Sequence, residues 1–315
     1  MSGAAPTPPK PGVVFGLMAL LCAVWGSTWL VIAKGLHDLP PLTGAAARFV
    51  LASLVMVAIA PALARREGGH KPPFRVVLVQ GVFQFTLNFA LVYLVETVLP
   101  SGLVSVLWAT FPLMMALTGH FITKSEPLVG RQWLGLMVAF LGVVALFWTD
   151  VASIGPKGVG MGLVLLLGPA SVTYATTLIK RHASGASSAL LNRDSMLLGA
   201  LLLSLLALVF ERSSPMRWTP AAAASIVYLA LFGSVLTFGA YVWLLRSIPA
   251  YRLSLVSYVT PVVALALGAS LGGEPLRSST LAGTALVLAG VALTLRSRAA
   301  SAARPEVSSG AGLDS

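Results

Sequence analysis

The chain has 315 residues, of which 57% are apolar and 10% are charged, and its formal net charge is +11. A soluble globular domain carries about 25% charged residues, so this composition excludes an ordinary soluble protein and indicates one that lies in a lipid bilayer. The basic residues lie in short loops between apolar runs, which indicates membrane topology and argues against nucleic-acid binding.

Ten apolar segments are each long enough to cross the hydrocarbon core as a helix, which takes about 20 residues. Their residues do not alternate between apolar and polar, so the sequence predicts helices and rejects a membrane β-barrel. We therefore expect an all-α membrane protein with spans at 13–34, 43–62, 74–95, 102–122, 131–148, 159–179, 189–210, 220–244, 253–271 and 279–296. Residues 1–12 and 297–315 are expected to be cytoplasmic tails.

The first two spans carry three candidate functional residues. A tryptophan in mid-span can stack on an aromatic or cationic solute, so Trp25 and its neighbour Thr28 are expected to line a substrate cavity. Arg48 lies just inside the outer end of the second span, where charge is costly and usually functional. Its role is either gating or recognition of substrate charge, or simple snorkelling to the interface.

The third span carries a polar stripe. Gln80, Gln84 and Asn88 are spaced by four residues, which places them on one helix face. This stripe predicts lining of the substrate cavity, and hydrogen bonding between helices is the alternative. Glu96 closes the same span on the side of Arg48, so the two form a candidate charge pair across an outer vestibule.

The fourth and sixth spans each add one aromatic candidate for the cavity, Trp108 and Tyr174, both away from the span ends where aromatic side chains act as interfacial anchors. Pro112 in the fourth span and Pro261 in the ninth predict helix kinks, because a proline in mid-membrane frees a backbone carbonyl. Each kink is either part of a gate or static.

The last candidates lie in the second half of the chain. Arg193 and Asp194 stand at the cytoplasmic opening of the seventh span and are candidates for a closing gate. Thr237 and Tyr241 share a polar face of the eighth span, and Tyr258 lies in the ninth. We expect all three to line the same cavity.

The chain also contains an internal repeat. Residues 100–112 (PSGLVSVLWATFP) align with residues 249–261 (PAYRLSLVSYVTP), with two prolines and a serine in register. Further matches are Glu126-Pro127-Leu128 with Glu274-Pro275-Leu276, Gly135 with Gly283, and Gly142 with Gly290. This ordered series predicts two repeats, 13–148 and 159–296, of five helices each. Because five is odd, the second repeat is expected to be inverted, as in transporters whose substrate site lies between the halves.

The basic residues predict the orientation of the chain. Alternate connections carry 15 Lys and Arg on one side and six on the other. The positive-inside rule then places both termini in the cytoplasm, and an even number of spans agrees with that placement. We expect an integral, multi-pass protein of the plasma membrane, specifically a bacterial inner membrane.

Several motifs resemble a known family. They are Trp25-Gly26-Ser27-Thr28, the run from Pro40-Pro41-Leu42 to Arg48-Phe49, and Gly272-Gly273-Glu274-Pro275-Leu276. With two five-helix halves, each with a proline in its fourth helix, the chain resembles the EamA-like branch of the drug/metabolite transporter superfamily. The resemblance covers residues 13–296 and implies a transport fold, but it does not identify a substrate.

The combined interpretation is a secondary-type transporter that exports small metabolites, such as amino acids or amphipathic compounds, by alternating access around a central cavity. A sugar or nucleotide-type permease of the same fold is the alternative. A membrane-embedded enzyme or sensor is disfavoured, because the sequence shows neither clustered catalytic groups nor a soluble output domain. Since phosphate-binding and metal-ligand motifs are also missing, we expect no cofactor and no metal. The expected partners are a small-molecule substrate and the lipid bilayer, with the chain a monomer or a homodimer.

Overall fold

The computed structural model describes residues 10–99, 101–146, 155–272 and 278–296. Within these ranges the chain is helical, apart from its connections and an isolated β-bridge between His70 and Ala186. In chain order the helices are α1 (Pro11–Gly35), α2 (Pro41–Glu67), α3 (Phe74–Glu96), α4 (Ser101–Trp108), α5 (Phe111–Ile122), α6 (Gly130–Leu146), α7 (Pro156–His182), α8 (Ser188–Phe210), α9 (Pro220–Leu245), α10 (Ala250–Ser254), α11 (Val256–Gly272) and α12 (Ser278–Arg296).

Six helices in these ranges, α1, α2, α3, α7, α8 and α9, are long and apolar enough to cross a membrane. Helices α4, α5, α10 and α11 are shorter, because α4 ends before α5 begins and Leu255 separates α10 from α11. The prediction of an all-helical membrane architecture is confirmed at this level, and the count of ten spans stays a prediction. Pro100, the second Glu-Pro-Leu segment and most of the two predicted tails lie outside the described residues.

The outer surface of the bundle is apolar, while many polar side chains lie inside it. Leu54 on α2 is 61% exposed and Phe210 on α8 is 70% exposed, whereas Gln80, Gln84 and Asn88 on α3 are buried. Exposed leucines and phenylalanines of this kind suit contact with lipid chains. Polar groups, in contrast, need partners inside the bundle or in a watery cavity.

Helices α2 and α8 run antiparallel, and each ends in a glutamate that caps the other. Glu67, at the end of α2, accepts hydrogen bonds from the hydroxyls of Ser187 and Ser188 at the start of α8. Glu211, just after α8, accepts from the backbone amides of Leu42 (2.8 Å) and Thr43 (2.7 Å) at the start of α2. A carboxylate satisfies the free amides and the positive dipole end of a helix N-terminus, so each glutamate stabilises the partner helix.

The glutamate of the first Glu-Pro-Leu motif, Glu126, also caps the N-terminus of a helix. The Glu126 carboxylate accepts hydrogen bonds from the amides of Ala250 (2.9 Å) and Tyr251 (3.2 Å), at the start of α10. Lys180 at the end of α7 contacts the same carboxylate at 3.1 Å. The motif thus ties the α5–α6 connection to two helices of the second half of the chain.

Helices α6 and α12 pack with their backbones in contact. A Cβ atom added at Gly142 would lie 2.7 Å from the Val287 amide nitrogen and 2.9 Å from the Gly283 carbonyl oxygen. Gly135 approaches the Gly290 carbonyl in the same way. The paired glycines at seven-residue spacing therefore serve close packing between two helices of one chain.

The third long helix of each half contains a π-helical stretch. Residues Gln80–Leu87 in α3 and Leu231–Leu236 in α9 adopt this wider turn. In each stretch a hydroxyl donates to the carbonyl five residues earlier: Thr86 to Gly81 at 2.9 Å, and Ser234 to Leu229 at 3.0 Å. Stretches of this kind occur frequently at functional sites.

The two prolines predicted to kink their helices differ in position. Pro112 lies in the first turn of α5, after the break at Ala109 and Thr110, where a missing amide hydrogen costs nothing. Pro261 lies inside α11. Of these two prolines, Pro112 therefore marks the start of a helix and Pro261 sits within one.

Candidate functional site

A cavity of about 90 Å³ lies between helices from both halves of the chain. One water molecule needs ~10–15 Å³ of such space, so the cavity has room for several waters or a small solute. The lining comprises Trp25, Thr28, Trp29, Ile32, Arg48, Gln84, Asn88, Phe89, Val92, Trp108, Phe111, Val172, Phe238, Tyr241, Leu253, Ser257 and Thr260.

Aromatic rings form much of the cavity wall. The ring of Trp25 packs against Phe238 and Tyr241, with centroid distances of 5.5 and 5.6 Å. On another side Trp108 packs against Phe111, at 5.3 Å. These tilted pairs hold one another in place, so the wall is preformed and offers flat apolar surfaces to a solute.

Five lining side chains each have a buried polar atom without a hydrogen bond to any described residue. Three are donors, Trp29 Nε1, Trp108 Nε1 and Arg48 Nη1, and two are the side-chain oxygens of Gln84 and Asn88. An unsatisfied buried polar group costs about 1–3 kcal/mol, so a concentration of five at one cavity requires an explanation. A polar solute that occupied the cavity would supply the missing partners.

Arg48 is the charged member of the lining and is only 1% exposed. Its Nε donates to Ser234 Oγ and its Nη2 donates to the Gly233 carbonyl, both at 2.9 Å. The guanidinium also lies 4.5 Å from the centre of the Phe89 ring. Since Gly233 and Ser234 belong to the π-helical stretch of α9, that stretch holds the guanidinium of α2 at the cavity.

Six of the ten residues predicted for the cavity lie in its wall. They are Trp25, Thr28, Gln84, Asn88, Trp108 and Tyr241. Gln80 lies elsewhere, because its Nε2 donates to Asn192 Oδ1 at 3.2 Å, and Asn192 donates in turn to the Phe238 carbonyl at 3.0 Å. The polar stripe of α3 therefore divides: one member bonds to helix α8, and two members face the cavity.

The other three predicted residues lie outside the lining. Tyr174 is 46% exposed and its ring meets Phe83 edge-on at 5.3 Å, because the helical turn that points Val172 inward points Tyr174 outward. Thr237 and Tyr258 are fully buried, and their hydroxyls make no hydrogen bond to a described residue.

The charged residues predicted as gates do not form the expected outer pair. Arg48 and Glu96 make no salt bridge with each other, although they interact electrostatically together with Tyr93. Both carboxylate oxygens of Glu96 are buried and have no hydrogen-bond partner among the described residues. Arg193 pairs with its own neighbour, because Nε lies 2.7 Å from Asp194 Oδ1.

Sequence reasoning missed Trp29, which lies in the cavity wall. Helix periodicity could have found it, because Trp29 lies one turn after Trp25 and on the same face. No simple pattern could have indicated that Gly233 and Ser234 hold Arg48, since that contact depends on the packing of α2 against α9. In the described part of the chain, no three His, Cys, Asp or Glu side chains come together as metal ligands.

Comparisons with known proteins give a consistent result. Residues 11–148 and 160–296 each match the EamA-like transporter family. The chain is 30% identical over 289 residues to the "Uncharacterized inner membrane transporter YedA" of Escherichia coli K12, with 90% of each chain covered. It is 31% identical over 291 residues to the "Probable amino-acid metabolite efflux pump" of Salmonella typhimurium LT2, covering 88% of this chain and 93% of that protein.

A solved structure, described only as a crystal structure of a protein, supports the fold. It superposes with a TM-score of 0.76 at 18% sequence identity, over 92% of this chain and 99% of the other. The relatives' names and the family description indicate an integral membrane transporter and not an enzyme. Because both halves of the sequence match that family, the chain belongs to the EamA-like transporter family.

Proposed function

We propose that this transporter exports small metabolites, such as amino acids or amphipathic compounds, by alternating access around the cavity described above. The observation that carries the proposal is the concentration of unpaired polar atoms in an aromatic-walled cavity between the two halves. A pathway for a polar solute needs such groups inside the bundle, where they replace the solute's hydration. The name of the Salmonella relative supports export of amino-acid-sized solutes.

The proposal includes a topology. Ten helical spans form two repeats, 13–148 and 159–296, with the second inverted, and α4 with α5 and α10 with α11 each form one broken span. Both termini lie on the cytoplasmic side of a bacterial inner membrane. The odd number of spans in each repeat and the distribution of basic residues support this arrangement. A sugar or nucleotide-type permease of the same fold is the alternative, and the name of the Salmonella relative favours amino-acid metabolites over it.

Flux into liposomes tests the cavity assignment. We expect Asn88→Ala and Trp108→Ala to lower the flux of an amino-acid or amphipathic probe at least several-fold with little loss of folded protein. Trp133→Ala is the control, because Trp133 lies on α6 beside His120 and is not part of the lining. If both cavity variants transport like the unaltered protein, this cavity is not the transport site.

A matched pair of glycines on α7 gives a second test. A Cβ atom at Gly168 would lie 3.0 Å from Asn88 Oδ1 and 3.8 Å from Trp108 Nε1, whereas one at Gly160 would have no neighbour within 4 Å. We expect Gly168→Ala to reduce flux by crowding Asn88 Oδ1 and Gly160→Ala to leave it unchanged. Thermal unfolding of both variants in detergent checks that the fold is kept.

A further inference from the structure

The described lining of the cavity carries a positive charge. Arg48 is the charged side chain among the residues that line the cavity, and no described lining residue is acidic. The nearest acidic influence on Arg48 comes from Glu96, which makes no salt bridge with it. A cationic solute would therefore meet a like charge in this cavity, whereas an anionic solute would meet a counter-ion in a setting of low dielectric constant.

The guanidinium of Arg48 is held in place before any solute binds. Its Nε and Nη2 donate to Ser234 Oγ and the Gly233 carbonyl, and its plane lies against the Phe89 ring. Two of its nitrogens are thus committed, and Nη1 has no acceptor at hydrogen-bond geometry among the described residues, although the Tyr93 hydroxyl lies close to the guanidinium. A donor fixed in this way loses little entropy when it binds a carboxylate, so the interaction is stronger than with a mobile arginine.

The remaining unpaired atoms indicate the rest of the solute. The indole N–H groups of Trp29 and Trp108 are donors that also suit an oxygen-rich head group. The side-chain oxygens of Gln84 and Asn88 are acceptors and require a hydroxyl or amino group on the solute. The aromatic wall around them suits a flat apolar body.

We infer that the cavity binds small organic carboxylates that have a hydrogen-bond donor beside the carboxylate and a flat apolar body, and that a positive charge on the solute is not required. The carboxylate lies toward Arg48, and its neighbouring hydroxyl or amino group donates to Gln84 or Asn88. This inference rests on the proposed function, because it assigns a substrate class to the same cavity. It extends that function in one respect: binding requires the carboxylate of the solute, but it does not require the ammonium group of an amino acid.

A series of probes that share a benzyl group and differ in charge tests the inference, and the anion and the neutral amide form the matched pair. The probes are 3-phenyllactate, its neutral amide 3-phenyllactamide, and the cation 2-phenylethylamine. Binding to the purified protein is followed by quenching of tryptophan fluorescence, and flux is measured in liposomes. We expect the anion to bind about 10-fold or more tightly than the amide, as hydrogen bonds to charged groups imply, and the amine to bind most weakly.

Variants locate the source of the preference. Arg48→Gln should reduce the ratio of anion to amide affinity to about one, while Arg65→Gln removes an exposed charge outside the cavity and should leave the ratio unchanged. Because Arg48 is buried and its loss could prevent folding, Ser234→Ala is a second variant. It keeps the charge but removes the acceptor for Nε, and we expect it to reduce the ratio several-fold.

The outcomes separate the two proposals. If the amide or the amine binds as tightly as the anion, the carboxylate inference is wrong while the cavity stays a transport site. If the anion preference persists in Ser234→Ala and in a folded Arg48→Gln, Arg48 is not its source and the inference also fails. If no probe binds and none is transported, the proposed function of the cavity fails together with the inference.

Discussion

Arg48 illustrates how one chain stabilises a buried cation in a membrane. Removing a guanidinium from water is costly, and the two hydrogen bonds to Ser234 and Gly233 offset part of that cost at about 1.5–3 kcal/mol each. The Phe89 ring adds a cation–π contact worth up to about 2 kcal/mol when desolvated. These partners are neutral, and Glu96, the acidic group that interacts electrostatically with Arg48, makes no salt bridge with it.

Glu96 and Asp194 are the acidic side chains that could couple transport to protons. Neither lies in the cavity lining, and Asp194 already pairs with Arg193. We therefore expect Glu96→Gln and Asp194→Asn to keep the pH dependence of flux that the unaltered protein shows in liposomes. A flattened pH profile in Glu96→Gln alone would instead assign that carboxyl a part in proton coupling, through its electrostatic interaction with Arg48.

At the scale of helices, the contact between α6 and α12 depends on the absence of side chains. The Cβ atom of an alanine at position 142 would lie 2.7 Å from a backbone nitrogen, which cannot rotate away as a side chain can. We expect Gly142→Ala to destabilise the protein by about 1–3 kcal/mol through overpacking. Gly130→Ala on the same helix has no neighbour within 4 Å and should be close to neutral.

Thermal unfolding in one detergent compares these two variants directly. A lower midpoint for Gly142→Ala than for Gly130→Ala supports close backbone packing between α6 and α12. Equal midpoints would mean that the two helices are not tightly packed in the folded protein.

The sequence predicted the long helices more reliably than it predicted the local backbone geometry within them. The length of an apolar run is a property of the sequence, so α1, α2, α3, α7, α8 and α9 were predictable. The π-helical stretches and the break between α4 and α5 were not predictable, because they depend on which backbone hydrogen bonds form once the helices pack together. Spacing by four likewise put Gln80 and Gln84 on one face, although only Gln80 meets a polar partner on α8.

At the scale of the whole molecule, the proposed orientation can be tested with its single cysteine removed. In a Cys22→Ser background, Ser213→Cys lies in the connection after α8 and Ser184→Cys in the connection before it, and both positions are exposed. We expect a membrane-impermeant thiol reagent to label position 213 in intact cells and to label position 184 only after lysis. Labelling in the reverse order would show that the termini face outward.

The candidate site was predictable only in part at this scale. The repeat and the polar stripe indicated a cavity between the halves, and Trp25, Asn88 and Trp108 all line one cavity. The position of Arg48 was harder to foresee, because sequence alone placed it near an interface, whereas the structure buries it beside a helix of the other half.

The reciprocal glutamates of α2 and α8 restrict how such a cavity could open. Since Glu67 bonds the two helices at one end and Glu211 at the other, we expect this antiparallel pair to move as one unit. Helices α6 and α12, one from each half, also pack closely against each other. We therefore expect access to come from flexing of helices whose hydrogen-bond ladders are interrupted, which happens at residues 109–110, at Leu166, at Leu255 and in the π-helical stretches of α3, α5 and α9.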